Sequence, residues 1–184
     1  SYSTIDRIFN DLKYNGQGYY LPACPRNVLL PDYLRNLKEP VVYISERFDW
    51  KLSIDELASG KMFSAQNHGF FISSPGSGIL YEIEKQLKQD LSNVNPADLA
   101  EVLPKCLSEN LNLVRNAEMT LTPTGANFKA VGIIYDALYN SETKPRSVGI
   151  LGCPVVSAVA SALAKSTGKT VIVKEQTTLP GNSV

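Results

Sequence analysis

The sequence predicts an α+β domain, helices packed on a short antiparallel sheet, and three observations predict it. Apolar residues recur at helical spacing over 79–91, 99–111 and 155–163, so each stretch gathers its apolar side chains on one face. Between the second and third, residues 117–122 and 128–135 take an extended period around a Pro123–Asn127 turn, which reads as an antiparallel hairpin. After Gly168, the run Val171, Ile172 and Val173 is β-branched and suits a strand.

Element by element, Ile5, Ile8, Phe9 and Leu12 form an amphipathic helix over 1–14, which the Asn15–Gly18 break ends. Four prolines, at 22, 25, 31 and 40, punctuate the next stretch, leaving room for a short helix at 32–37 and a strand at 41–45. Gly69–Ile72 reads as a buried strand, and Ser73–Ser77 as the turn into a helix over 78–91 whose stripe is Ile79, Leu80, Ile83, Leu87 and Leu91. Asn95 is a good N-cap and Pro96 a good first residue for a second helix. Pro104, which has no N–H for the carbonyl of Ala100, predicts a kink or a break in it. Val148–Leu151 is either a short strand or an extended lead-in to the last helix, which Pro154 opens and Gly168 closes. Ala158, Ser161 and Ala162 on that helix are small enough to admit another backbone.

Eighteen basic and eighteen acidic side chains cancel, so no net field draws nucleic acid or anionic lipid. Cys24, Cys106 and Cys153 are far apart and odd in number, which favours reduced thiols in a cytoplasmic setting and leaves no legible metal site. Charge, Gly and Pro interrupt the apolar runs, which argues against a membrane span. The missing initiator Met and the stop at Val184 read as processing or trimming.

Chemistry is sparse. Gly168-Lys169-Thr170 resembles a phosphate-loop ending, but Leu163 stands where a Gly is required and the triplet follows a helix instead of opening one. Ser73–Gly78 has the layout of an anion-binding turn without its Lys, and a plain strand-to-helix connection explains it as well. His68 is the single histidine and has no nucleophile beside it, so no catalytic residue is assigned. Cys106 and Cys153 sit on apolar faces as small hydrophobes, and Tyr19, Tyr20, Phe70 and Phe71 lack the interleaved basic residues of a base-stacking surface.

Two helices, a hairpin, a third helix and a last strand, with Gly78–Leu87 at the front and Cys153-Pro154, Thr167-Gly168-Lys169 and Val171–Glu175 at the back, resemble the 4-vinyl reductase domain family, related to Bet3-like subunits of the TRAPP tethering complex. The similarity spans roughly residues 70–184. It implies a two-layer domain over 66–184 that dimerises through its helices and encloses a hydrophobic cavity, with residues 1–65 as an N-terminal extension packed on the core or on the partner. Gln176–Val184 lacks the cysteines of members with a metal-type tail, and no cofactor is implied.

The expected function is therefore non-enzymatic binding or sensing of a small hydrophobic molecule by a homodimer. The expected lining is Ile79, Leu80, Ile83 and Leu87, then Leu103, Cys106 and Leu107, then Val155, Val159 and Leu163. One alternative is a protein–protein assembly scaffold of the TRAPP type. A second is a nucleotide-binding enzyme with a βαβ unit at 147–175, which requires Val148–Leu151 to be a central parallel strand.

Overall fold

A computed structural model describes residues 2–12, 16–46, 54–64, 69–140, 142 and 144–178. Helix α1 (Tyr2–Asp11) leads into strand β1 (Gln17–Tyr20), a 3₁₀ segment at Asp32–Lys38, strand β2 (Val41–Ser45), the short helix α2 (Ile54–Ala58) and strand β3 (Gly69–Ser73). Helices α3 (Ser77–Leu87) and α4 (Pro96–Lys105), the hairpin β4 (Asn116–Thr122) and β5 (Gly125–Val131), and the single-turn helix α5 (Ala137–Asn140) follow. Helices α6 (Arg146–Leu151) and α7 (Pro154–Thr167) and the two-residue strand β6 (Val171–Ile172) complete it.

The fold is α+β, as its helical and extended periodicities predict. Its main sheet has the order β3-β2-β1-β6, every neighbouring pair antiparallel, and the β4–β5 hairpin stands apart from it. The two central strands, β1 and β2, come from the first 65 residues. The segment expected to be an extension is thus built into the middle of the sheet. Polar and glycine residues around 15–18 disguise β1 as a break, because a strand paired on both edges is held by its neighbours more than by its own propensity.

Helix α7 divides the core. Val155, Val159 and Ala162 face one apolar cluster with α3, α4 and β5, while Ala160 and Ala164 face a second one with Phe9, Tyr20, Val42, Ile44, Phe70 and Leu151. A helix apolar on both sides belongs between two layers. The stretch Arg146–Thr167 is long and apolar enough on composition to cross a membrane, but its apolar window is 78% buried within the fold. It is also two helices, parted at Gly152 (φ 76°) and Cys153.

Several boundaries differ from the sequence expectations for physical reasons. Val148–Leu151 is helical and not extended: Pro145 accepts from the N–H of Val148 and opens α6. The βαβ unit required by a nucleotide-binding enzyme is therefore not formed. The helix expected to run to Leu91 stops at Leu87, where Lys88 turns left-handed (φ 51°) and donates to the carbonyls of Glu84 and Lys85. Pro104 acts as expected. Helix α4 widens into a π-type turn at Cys106–Asn110 directly after it, and the Ser108 hydroxyl reaches back 3.0 Å to the carbonyl of Pro104. The hairpin turn is tighter than expected, with Thr122 paired to Gly125, and its second strand ends at Val131 before Gly132 (φ 67°). The predicted Asn95 cap is present, its Oδ1 accepting from the N–H of Asp98 at 2.9 Å.

Candidate functional site

The ten expected lining residues do come together, but as packing. Leu80, Ile83, Leu103, Cys106, Leu107, Val155 and Val159 are buried in one cluster, and Ile79, Leu87 and Leu163 are half-buried against it. None of the ten lines either of the two surface clefts described below. Burial pushes the Cys106 thiol above the ordinary cysteine range, as an apolar wall does. His68 lies outside the described residues.

The Ser73–Gly78 turn is closed as well. A Cβ on Gly76 would collide with the backbone of Ala158 and Pro154, so the start of α3 is pressed directly on α7. Ser74 Oγ lies 2.9 Å from Ser157 Oγ and 2.8 Å from Ser161 Oγ, and the N–H of Gly76 donates to Ser157 Oγ at 3.0 Å. The N–H of Gly76 is thus taken by α7, and that of Ser77 by the carbonyl of Ser74. Of the small residues that predict a close approach, Ala158 receives the backbone of Gly76 and Ser161 the hydroxyl of Ser74.

What sequence reasoning missed lies at the other end of α7. Lys165 continues the small-residue face of Ala158, Ser161 and Ala162, and is only 2% exposed at its side chain. Its ammonium donates to Glu84 Oε1 at 2.5 Å and to Asp90 Oδ2 at 2.9 Å, with the two carboxylate side chains 8% and 11% exposed. Glu84 lies one turn beyond Leu80, on the buried side of α3, and also accepts from the N–H of Leu91 at 3.0 Å. An isolated charge at such depth is costly, and the mutual pairing offsets that cost.

Asp90 is the more heavily used carboxylate. It accepts from the backbone N–H of Arg26 at 2.9 Å, from Ser92 N–H at 3.0 Å and from the Ser92 hydroxyl at 2.6 Å. Burial pushes its carboxyl upward, but the hydrogen bonds from Ser92, the Arg26 N–H and Lys165 outweigh it and hold the pKa at about 2. The turn from α3 to α4 is thereby tied both to α7 and to the Pro25–Val28 loop. Ser166 adds a further tie, donating to the carbonyl of Val94 at 2.5 Å.

Above this network opens a cleft of about 520 Å³ lined by Arg26, Asn27, Tyr81, Glu84, Lys85, Lys88, Gln89, Asp90 and Asn93. The guanidinium of Arg26 lies 4.7 Å from the centre of the Tyr81 ring, and its Nε is 3.5 Å from Glu84 Oε2. That approach lacks hydrogen-bond geometry. Oε2 is closed off from the cleft and accepts no hydrogen bond among the described residues, with the Arg26 guanidinium as its ionic partner. A smaller cleft of about 330 Å³ lies between the 3₁₀ segment and α2, lined by residues that include Asp32, Arg35 and Asp55. No group of three or more metal-ligating side chains occurs among the described residues.

The signal for the charged site was present in the sequence. A Lys on the face of Ala158, Ser161 and Ala162, and a Glu four residues after Leu80, are each placed where a periodic apolar face demands burial. The apolar face read on this helix ends at Leu163, two residues short of Lys165, although the helix itself is expected to run on to Gly168.

The fold and the cleft define a class first: an α+β domain whose central helix ends in a buried ion network beneath a polar cleft. The chain belongs to the family described as a domain of unknown function (DUF7982), whose model matches residues 3–182. No curated protein and no solved structure matches it.

Proposed function

We propose that the chain is a non-enzymatic small-molecule-binding domain whose ligand sits in the cleft over Glu84 and Asp90. The observation that carries this reading is an open cleft of about 520 Å³ in which Arg26, Lys85 and Lys88 stand with Tyr81 around the carboxylates of Glu84 and Asp90. The cleft volume falls within the range of about 300–1,000 Å³ common for ligand sites. The charges around it favour holding over reacting. Asp90 titrates at about 2, far from the near-neutral value that suits a general acid or base, and Lys165 is fully engaged by two carboxylates.

A second form of the binding reading places an apolar ligand among the ten residues of the expected lining, in a homodimer. Their convergence in one cluster favours it. That form also requires the cluster to open, because seven of the ten are already buried against other core side chains. Native mass spectrometry of the purified chain, followed by solvent extraction, separates the two. A polar adduct displaced by high salt supports the cleft; an extractable lipid and a dimer support the apolar form; a bare monomer unmoved in melting temperature by either ligand type refutes both.

A further inference from the structure

We infer that residues 25–30, in the connection from β1 to β2, form a hinged strap that is fastened to the α3–α4 turn through Arg26 and opens as a unit while the floor of the cleft stays fixed. The strap is one wall of the cleft proposed above as a binding site, but its motion is tested without a ligand, so each reading can fail without the other.

The segment is defined first by what it lacks. Pro22, Pro25 and Pro31 have no N–H to give to a neighbouring strand, so the chain leaves the sheet after Tyr20 and rejoins it at Val41. No residue from 25 to 30 is buried, and none belongs to either apolar cluster. Val28 and Leu29 are exposed, Leu29 almost wholly. A stretch with so little apolar contact has little local stability of its own. Its ends are held: the N–H of Cys24 donates to the carbonyl of Leu37, and that of Leu34 to the carbonyl of Pro31, each at 2.8 Å.

Between those ends the ties converge on one residue. Among the described residues, every hydrogen bond joining 25–30 to another part of the chain begins or ends at Arg26. Its N–H reaches Asp90 Oδ2 at 2.9 Å, and its carbonyl accepts from Lys38 Nζ at 2.9 Å. The guanidinium adds its ionic approach to Glu84 and its place over the Tyr81 ring. The Arg26 side chain is 36% exposed, so water competes for that fastening and salt screens it. The opposite wall is different. Glu84 and Asp90 are both bound to the buried Lys165, and Ser166 holds the carbonyl of Val94. Opening the strap therefore breaks the ties of one residue and leaves α3, the α3–α4 turn and α7 joined. It also changes the charge of the base. With Arg26 in place two carboxylates face two cations; with Arg26 withdrawn Lys165 alone faces both acids, and Glu84 Oε2 is uncovered.

The test is amide hydrogen exchange of the full chain, read by mass spectrometry over residues 24–31 and over β1 and β2, each relative to an unstructured peptide of the same sequence. It is run at low salt and at about 1 M salt, where the screening length falls to about 3 Å. The native chain is expected to protect 24–31 at low salt and to exchange there roughly fivefold faster at high salt. Arg26→Gln keeps the backbone N–H for Asp90 and removes the charge, and is expected to exchange at the faster rate in both conditions. Arg26→Lys is expected to regain part of the protection and of its salt dependence, while β1 and β2 stay unchanged throughout. Exchange over 24–31 that neither salt nor Arg26→Gln alters overturns the inference, because the fastening then lies elsewhere. So does exchange there at the unstructured rate in the native chain, which leaves nothing fastened. Loss of protection in β1 and β2 together with 24–31 overturns it as well, because the segment then opens only with the whole fold.

Discussion

The two ends of α7 are both sealed by polar groups, but with different chemistry. At the N-terminal end the seal is neutral. Tyr2 donates to the carbonyl of Gly152 at 2.8 Å, Tyr20 to that of Leu151 at 2.6 Å, and the N–H of Cys153 donates to the Tyr139 hydroxyl at 2.9 Å. Tyr139 in turn donates to Gln176, whose amide donates to the carbonyls of Val148 and Gly149. Burial pushes the hydroxyls of Tyr2, Tyr20 and Tyr139 above the ordinary tyrosine range, so they stay protonated. At the C-terminal end the seal is ionic, built on Lys165, Glu84 and Asp90. Neutral hydrogen bonds close a chain reversal at modest cost and tolerate the loss of one member. A charged seal is all-or-none, since any unpaired member is left buried. Only the charged end opens onto the larger cleft.

The largest expected effect tests that asymmetry directly. Lys165→Met leaves Glu84 and Asp90 side by side without their shared cation, and should lower stability by about 3–5 kcal/mol in urea denaturation. Tyr20→Phe should cost about 1–2 kcal/mol, the loss of one donor to a buried carbonyl. Equal costs for the two would break the comparison.

Acid sharpens it further. The folded Asp90 titrates at about 2 against an ordinary 3.8, so its contribution is fully present above pH 3.8 and is lost as the pH falls toward 2. Denaturation midpoints measured from pH 5 to pH 2 should therefore fall more steeply for the native chain than for Asp90→Asn. Tyr20→Phe should leave that slope unchanged, because its hydroxyl does not titrate in this range. The smallest expected effect has the opposite sign. Lys88→Gly relieves a left-handed residue at the end of α3 and should raise stability by about 0.5–1 kcal/mol, read as a higher melting temperature.

How much of this the sequence disclosed follows from what period and propensity encode. The stripes of α3, α4 and α7 were legible because each repeats over several turns, and Asn95, Pro96 and Gly168 mark ends by local chemistry alone. Strand β1 was not, because Gln17-Gly18-Tyr19-Tyr20 owes its conformation to β2 and β6 on either side. Strand β6 was overread for a related reason: Val171, Ile172 and Val173 are all β-branched, yet only Tyr19 and Tyr20 of β1 are opposite the first two. The apolar residues of the expected lining fall in one packed cluster. Whether such a group encloses space or fills it depends on side-chain volumes from three elements meeting at once, which no single-segment pattern carries. The charged site depended on contacts 75 and 81 residues apart in the chain, between Lys165 and its two acidic partners.

The meeting of Gly76 with Ala158 has a mechanical consequence. Main chain touches main chain there, so α3 has a fixed pivot at its first turn and cannot slide along α7. Its eleven residues span roughly 16 Å from that pivot to the lip of the cleft at Lys88. Near its far end the same helix is held again, by the pair of Glu84 with Lys165, so two fastenings of opposite character leave α3 and α7 to move as one body.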